Sequence, residues 1–315
     1  MEVLLSAITT LLHIGFCLLG APLLGGVIGV LRARLRGQRG PSLQQPYRHL
    51  IRLLGKSSLM PDTATDMFAI WPLVAFLAWA VVVMLIPGFC TGMLTARASD
   101  YVTVVGLFVL GRAATMLAGL EAGAAFGGMG VTRMVLRGLG VEASLLVLFL
   151  VFARLTGHSS LDGMAVAVRG LHAGGLVAMG FALAAMLIIA VSVTSDQPDA
   201  GQELAMIQRA MKLEYSGRQL ALLDYADMLR LLAWMNLLIC IFIPFGMARA
   251  QMLLSWPGGL VLWVLKLLGL CVGLAIVSGL CTESRLRRVP EVLGLALGLS
   301  LLASMVLMVV IRAGA

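Results

Sequence analysis

Apolar runs of about 18 residues or more recur along the whole chain, too many and too long for the core of one soluble domain. Runs of this length suit a hydrocarbon layer roughly 30 Å thick, which about 20 helical residues span. Hydropathy divides the chain into eight spans, Leu4–Leu31, Phe68–Phe89, Tyr101–Leu120, Leu139–Leu155, Leu171–Thr194, Leu229–Ala248, Pro257–Leu280 and Val292–Ile311, of which the fourth is the shortest. They are continuously apolar, without the alternation of a barrel wall. The expected fold is therefore all-α: a polytopic integral membrane protein with about eight transmembrane helices, forming one membrane domain over residues 1–315. The first span does not read as a cleaved signal, because Glu2 leads it and its arginines follow it.

The cations orient this bundle. Only 12% of the chain is charged, yet seven of its 23 Lys and Arg residues fall within residues 32–56, with no acid among them. Loops one, three, five and seven together hold 16 cations, counting Arg230 at the start of span six. The even loops and the C-terminus hold five, and Arg112 and Lys266 lie inside spans. By the positive-inside rule the odd loops are expected in the cytoplasm and both termini outside, across a bacterial inner membrane. A net charge of +8 arranged this way points to the bilayer, and the sparse aromatic interleaving speaks against nucleic acid. The five cysteines form no CxxC pair, the four histidines are scattered, and no P-loop or Rossmann fingerprint is present. The chain is expected to carry no redox centre or metal of its own.

Two loops stand out. In the basic loop, residues 32–67, Gly37, Gly40 and Pro41 break the first helix. Leu50, Ile51, Leu53 and Leu54 then sit between Arg48, Arg52 and Lys56, a spacing that suits a short interfacial amphipathic helix. Loop five, residues 195–228, carries Asp196, Asp199, Glu203, Glu214, Asp224 and Asp227 but only three cations. That mixture reads as a partner-facing surface rather than a lipid contact, with a helix expected from Gln202 to Lys212. GxxxG pairs at Gly25 and Gly29 and at Gly269 and Gly273 allow close helix approach, as in many membrane bundles.

Ionisable groups inside hydrocarbon cost several kcal/mol and are candidates for function. Counting from the outer ends of their spans, Arg112 lies about 16 Å deep and Lys266 about 13 Å. Glu121, Glu142 and Glu283 fall near the cytoplasmic ends of spans three, four and seven. A buried lysine can lose its proton whereas arginine cannot. Lys266 therefore reads equally as a relay or a helix pin, and Arg112 more as a pin.

The ordered stretches "RARLRGQRGPSLQQPYRHLIRLLGK", "GRAATMLAGLEAGAAFGGMGVTR", "VEASLL", "LEYSG", "LICIFIPFG" and "LKLLGLCVGLAIVSGLCTESRLR" resemble the respiratory complex I subunit 1 family. The likeness is nearest to the formate hydrogenlyase subunit 4 and hydrogenase-4 component C type, and it covers most of the chain. The resemblance implies a cofactor-free subunit that joins antiporter-like membrane subunits to a peripheral arm. Iron–sulfur clusters, and a nickel–iron site where one is retained, would belong to that arm's iron–sulfur subunit and large catalytic-type subunit. Carried over by position, arm docking falls to Arg34, Arg36, Arg39, Gly40, Pro41, Tyr47, Arg48, Leu53 and Lys56, with Asp199, Glu203, Glu214 and Tyr215 from loop five. The proton path falls to Arg112, Glu121, Glu142, Lys266 and Glu283. The chain departs from the family where an E-x-G-K-x-P-F-D stretch followed by glutamates is replaced by "VSVTSDQPDAGQELAMIQRAMKLEYSG". Met134 stands where an acid is expected, and Ala143 where a proline often follows the span-four acid.

Two other classes fit the residues less fully. A stand-alone secondary ion transporter would use Lys266 and the glutamates, but no inverted repeat or pair of interrupted helices marks a midplane site. A purely structural anchor would hold the arm without moving ions.

Overall fold

The computed structural model describes residues 2–35, 37–61, 64–170, 173–194, 211–280 and 289–312. Long helices follow one another up and down: α1 (Glu2–Leu35), α3 (Met67–Leu85), α4 (Tyr101–Glu121), α5 (Ala125–Thr156), α7 (Ala173–Thr194), α8 (Gly217–Phe242), α9 (Trp256–Leu280) and α10 (Val289–Arg312). Two shorter helices, α2 (Gln45–Leu54) and α6 (Leu161–Ala167), lie in the connections. Seven of the long helices are apolar and long enough to cross a membrane, and α7 is the further apolar segment. The chain is a multi-pass all-α membrane protein.

Helix α8 is the hub. In its span 72% of the residues are buried, against 28–44% in the other six, so it sits inside a ring of neighbours rather than against lipid. It packs on α1 and α3, while α3 pairs with α4, α4 with α5, and α10 with both α5 and α7. Two spans differ from their hydropathic limits. Helix α5 begins at Ala125, 14 residues before the expected Leu139, and α8 begins at Gly217, 12 residues before Leu229. In both cases the missed portion carries charged residues that lower hydropathy without interrupting the helix. Helix α8 also stops at Phe242 rather than Ala248, because Pro244 cannot continue it.

The even loops meet at one end of the bundle, the far end. There β1 (Cys90–Thr91) pairs in parallel with β2 (Ala248–Arg249), the Gly92 N–H donates to Asp162 Oδ1 at 3.0 Å, and the Tyr101 N–H donates to Ser159 O at 3.1 Å. The odd loops gather at the near end. Loop one folds back on the helix that leads into it. A methyl on Gly26 would lie 2.6 Å from Leu43 O, and Pro41 Cγ comes within 3.6 Å of the Cβ position of Gly29. Gly26 and Gly29 thus seat the loop, while Gly25, the other member of the first GxxxG pair, faces Met228 of α8. Gly269 and Gly273 face open space.

Helix α2 forms as expected, but it does not lie with all its leucines down. Leu50 and Leu53 are buried against Ala221 of α8, while Ile51 and Leu54 stay exposed. Its Tyr47 serves α1. Pro22 has no N–H to give Leu18 O, four residues back, and the Tyr225 hydroxyl donates to that oxygen at 2.7 Å. The Tyr47 hydroxyl donates to the adjacent Leu19 O.

A candidate charge site between α4, α5 and α8

Arg112 is the twelfth residue of the 21 in α4, and Glu142 the eighteenth of the 32 in α5. Near the middle of their helices the two side chains form an ion pair through Arg112 Nη2 and Glu142 Oε1. They line a small cleft with Trp79, Phe108, Trp234 and two further cations, Arg137 and Arg230. The walls are built for this pair. Gly138 leaves room for the guanidinium, since a methyl there would sit 2.9 Å from Arg112 Cζ. Gly111 admits the Trp79 indole on the other side of α4 in the same way, at 2.7 Å from Trp79 Nε1. In a low-dielectric setting a lone guanidinium would be costly, and the facing carboxylate offsets that cost.

From this cleft a series of ionisable contacts runs to the near-end surface. Arg230 pairs with Asp227 one turn earlier on α8, at 3.4 Å. Lys212, in the turn before α8, bonds Asp227 and also Asp224, the latter at 3.0 Å. Asp224 Oδ2 lies 3.3 Å from Nε2 of His49 on α2. Side-chain exposure is 48% at His49, 23% at Asp224, 15% at Lys212, 37% at Asp227, 16% at Arg230 and 13% at Arg112, so the outer end is the most exposed although the fall is not steady. Burial by itself would push the Lys212 ammonium down, but Asp227 and Asp224 outweigh it and hold the group above the ordinary lysine range.

The other candidates lie elsewhere. Glu121 accepts from the Thr65 hydroxyl at the near end of α4, away from the cleft. Tyr215 is buried, stacks on Phe68 with ring centroids 4.0 Å apart, and donates to Ala118 O at 2.9 Å, so its main work is to seat the end of loop five. Among the described residues, no glutamate meets Lys266. Its ammonium donates to Ile243 O at 2.7 Å and to Phe245 O, while Arg169 donates to Pro244 O at 2.8 Å, so two cations cap the far end of α8 where its carbonyls are free. Arg34, Arg39, Arg48, Lys56 and Glu214 are exposed at the near end, whereas Gly40 and Pro41 abut α1. Arg36, Asp199, Glu203 and Glu283, and nearly all of the helix expected from Gln202 to Lys212, lie outside the described residues.

Met134, in the place of the expected acid, lines the same cleft and packs with Val131 and with Met211 of loop five. Sequence reasoning missed His49, Lys212, Asp224, Asp227 and Arg230 as a connected set. The only signal was the three-residue spacing of Asp224, Asp227 and Arg230, which places consecutive members one helical turn apart. It also missed His13, which is fully buried with Nε2 3.1 Å from Ile86 O and 3.3 Å from Val83 O, capping the end of α3. Nearby, Trp263 Nε1 donates to Asn236 Oδ1 at 3.0 Å.

A sequence model of the family described as NADH dehydrogenase matches residues 8–311. Hydrogenase-4 component C of Escherichia coli strain K12 is 30% identical over 288 residues, 90% of each chain. Formate hydrogenlyase subunit 4 of the same strain is 29% identical over 263 residues, covering 82% of this chain and 83% of its own. The fold is shared with a chain of the membrane-bound sulfane sulfur reductase, an archaeal respiratory membrane complex. The TM-score is 0.70 with 17% sequence identity, over 98% of this chain and 99% of that one.

Proposed function

We propose a function from one premise: the chain belongs to the NADH dehydrogenase family, as a membrane subunit of the complex I subunit 1 type. On this reading it is the membrane anchor of a multi-subunit respiratory complex related to energy-converting hydrogenases. Its near end faces the cytoplasm of a bacterial inner membrane, and its exposed cations there dock a peripheral arm. Iron–sulfur clusters, and any nickel–iron site, are held by that arm. Antiporter-like subunits lie alongside in the membrane. The observation that carries the reading is the Arg112–Glu142 pair, set mid-helix in a bundle that the family model matches almost end to end.

In this role the two members of the pair do different things. Arg112 keeps its charge at any working pH and fixes the position of Glu142. Glu142 can gain and lose a proton, and its affinity for that proton follows the distance to Arg112. A small shift of either helix, set off from the docked arm, would therefore load or unload it. Chemistry on electrons belongs to the arm, and this chain contributes the proton-carrying group.

Gentle extraction of the chain from its native membrane, tagged at the C-terminus, followed by mass spectrometry, tests the assembly. An iron–sulfur protein and antiporter-like subunits are expected with it. A stable chain that emerges alone, and moves an ion by itself in liposomes, would replace this reading with that of a transporter. Within the complex, Glu142→Gln is expected to leave assembly and electron transfer intact while abolishing proton movement.

A further inference from the structure

The acid-rich stretch that the resemblance led one to expect in loop five is not in this chain, and Met134, which lines the cleft, stands where an acid was expected. The partly buried Arg112–Glu142 pair is nonetheless joined to the near-end surface by other ionisable residues. We propose that His49 is the port through which protons reach Glu142, and that Asp224, Lys212 and Asp227 carry them inward. The inference deepens the proposed function and rests on Glu142 being the proton-carrying group.

Direct contacts join the groups from His49 to Asp227, and Arg230 joins Asp227 to the cleft. His49 is half exposed on α2, at the surface, and its Nε2 lies 3.3 Å from Asp224 Oδ2, close enough to hand over a proton. Lys212 is bonded to both Asp224 and Asp227 at once. It can release one proton to Asp227 while taking the proton that Asp224 received, and remains an ammonium throughout. Asp227 bonds Arg230, which lines the cleft together with Glu142, so the last proton passes from Asp227 to Glu142 through water beside Arg230. The cleft has room for about two or three such waters. Arg230 and Arg112 border this last step without giving up protons of their own, and they stabilise both carboxylates in the ionised form between transfers. One proton enters at His49 for each one delivered to Glu142, and no group is oxidised or reduced.

An imidazole suits the outer position, since it can accept a proton at one ring nitrogen and release one from the other, which exposed arginines on the same helix, Arg48 and Arg52, cannot do. The port also opens where α2 meets the turn before α8, within the face assigned to docking. Proton uptake and the docked arm would therefore share one surface.

The test uses the full-length chain in nanodiscs. After an acid jump, protonation of Glu142 is followed as growth of a carboxylic-acid infrared band that Glu142→Gln removes. His49→Ala is expected to slow that growth at least about tenfold, and added imidazole to restore it, as for other removed general acid–base groups. Asp224→Asn is expected to slow it with no rescue. A purely structural role for His49 would not respond to imidazole. A Glu142-dependent band that grows equally fast in His49→Ala, or a slowed one that imidazole leaves unchanged, would overturn the port while leaving Glu142 in its role. A wild-type chain with no Glu142-dependent band would overturn both.

Discussion

Gly138 offers the sharpest test of how the charge pair is held. It lies one helical turn before Glu142 on α5, and a methyl there would fall 2.9 Å from both Cζ and Nε of Arg112, where ordinary contacts begin near 3.4 Å. In Gly138→Ala the guanidinium must retreat by about 0.5–1 Å, since close-packed surroundings offer little other relief. Opening a charge-assisted contact from about 2.8 to about 3.6 Å loses about 1 kcal/mol at an effective dielectric near 20. Overpacking adds about 1–3 kcal/mol, and the better helix propensity of alanine returns about 0.5–1 kcal/mol. The expected net loss is about 1–3 kcal/mol. Gly128→Ala is the matched control: it lies on the same helix, its added methyl meets nothing within 4 Å, and it should gain about 0.5–1 kcal/mol. The two variants should therefore differ by about 2–4 kcal/mol in reversible detergent unfolding, with faster hydrogen exchange around Arg112 and Glu142 only in Gly138→Ala. Equal stabilities, within about 0.5 kcal/mol, would refute the idea that this glycine exists to admit the guanidinium.

Three further outcomes are expected. Gly217→Ala places a side chain at φ +55° and its Cβ 2.6 Å from Ser57 O, so it should destabilise by at least about 2 kcal/mol and open the start of α8 to protease; unchanged cleavage would contradict the close seam. Lys266→Met strips donors from Ile243 O and Phe245 O, which should cost about 2–4 kcal/mol and speed hydrogen exchange at the end of α8, while Lys266→Arg should keep most of the cap. Burial raises the Asp162 carboxyl above its ordinary range, although the Gly92 N–H and Arg169 pull the other way. Its folded value being the higher one, its stabilising contribution is complete below about pH 4 and is lost as pH rises through the folded value. Asp162→Asn, which keeps an acceptor for Gly92, should thus unfold later than wild type at neutral pH and no later at about pH 4; the reverse order would show that burial does not dominate there.

Much of the architecture was legible because hydrocarbon imposes length and polarity on each helix. The eight spans correspond to the eight long helices, and Tyr101, which opens α4, was placed to the residue. Helices α5 and α8 were read short for one physical reason. Arg133 and Arg137 in the first, and Asp224, Asp227 and Arg230 in the second, look like water-facing loop residues until their partners are known. The pairing of Asp227 with both Lys212 and Arg230 is tertiary, and no periodicity announces it. Arg112 was singled out by its depth in span three, whereas Glu142 was read near the end of span four; the earlier start of α5 puts it mid-helix, and its contact with Arg112 needed the packing of α4 on α5. Lys266 was read as a relay or a helix pin with no partner in view, because hydropathy continued span six through Ala248 and hid the carbonyls at residues 243–245 that the ammonium and Arg169 bond.

The two ends of the bundle also differ in how finished they are. At the far end the chain ties off its own backbone, through the pairing of Cys90–Thr91 with Ala248–Arg249, the Tyr101–Ser159 bond and the two cations on the end of α8. At the near end α2 presents Arg48, Arg52, Ile51 and Leu54 outward on a scaffold whose inner leucines are already fixed to α8. On the proposed docking role, exchange of the peripheral unit would ask for changes in a handful of outward side chains on a ten-residue helix, with the bundle's other connections left as they are.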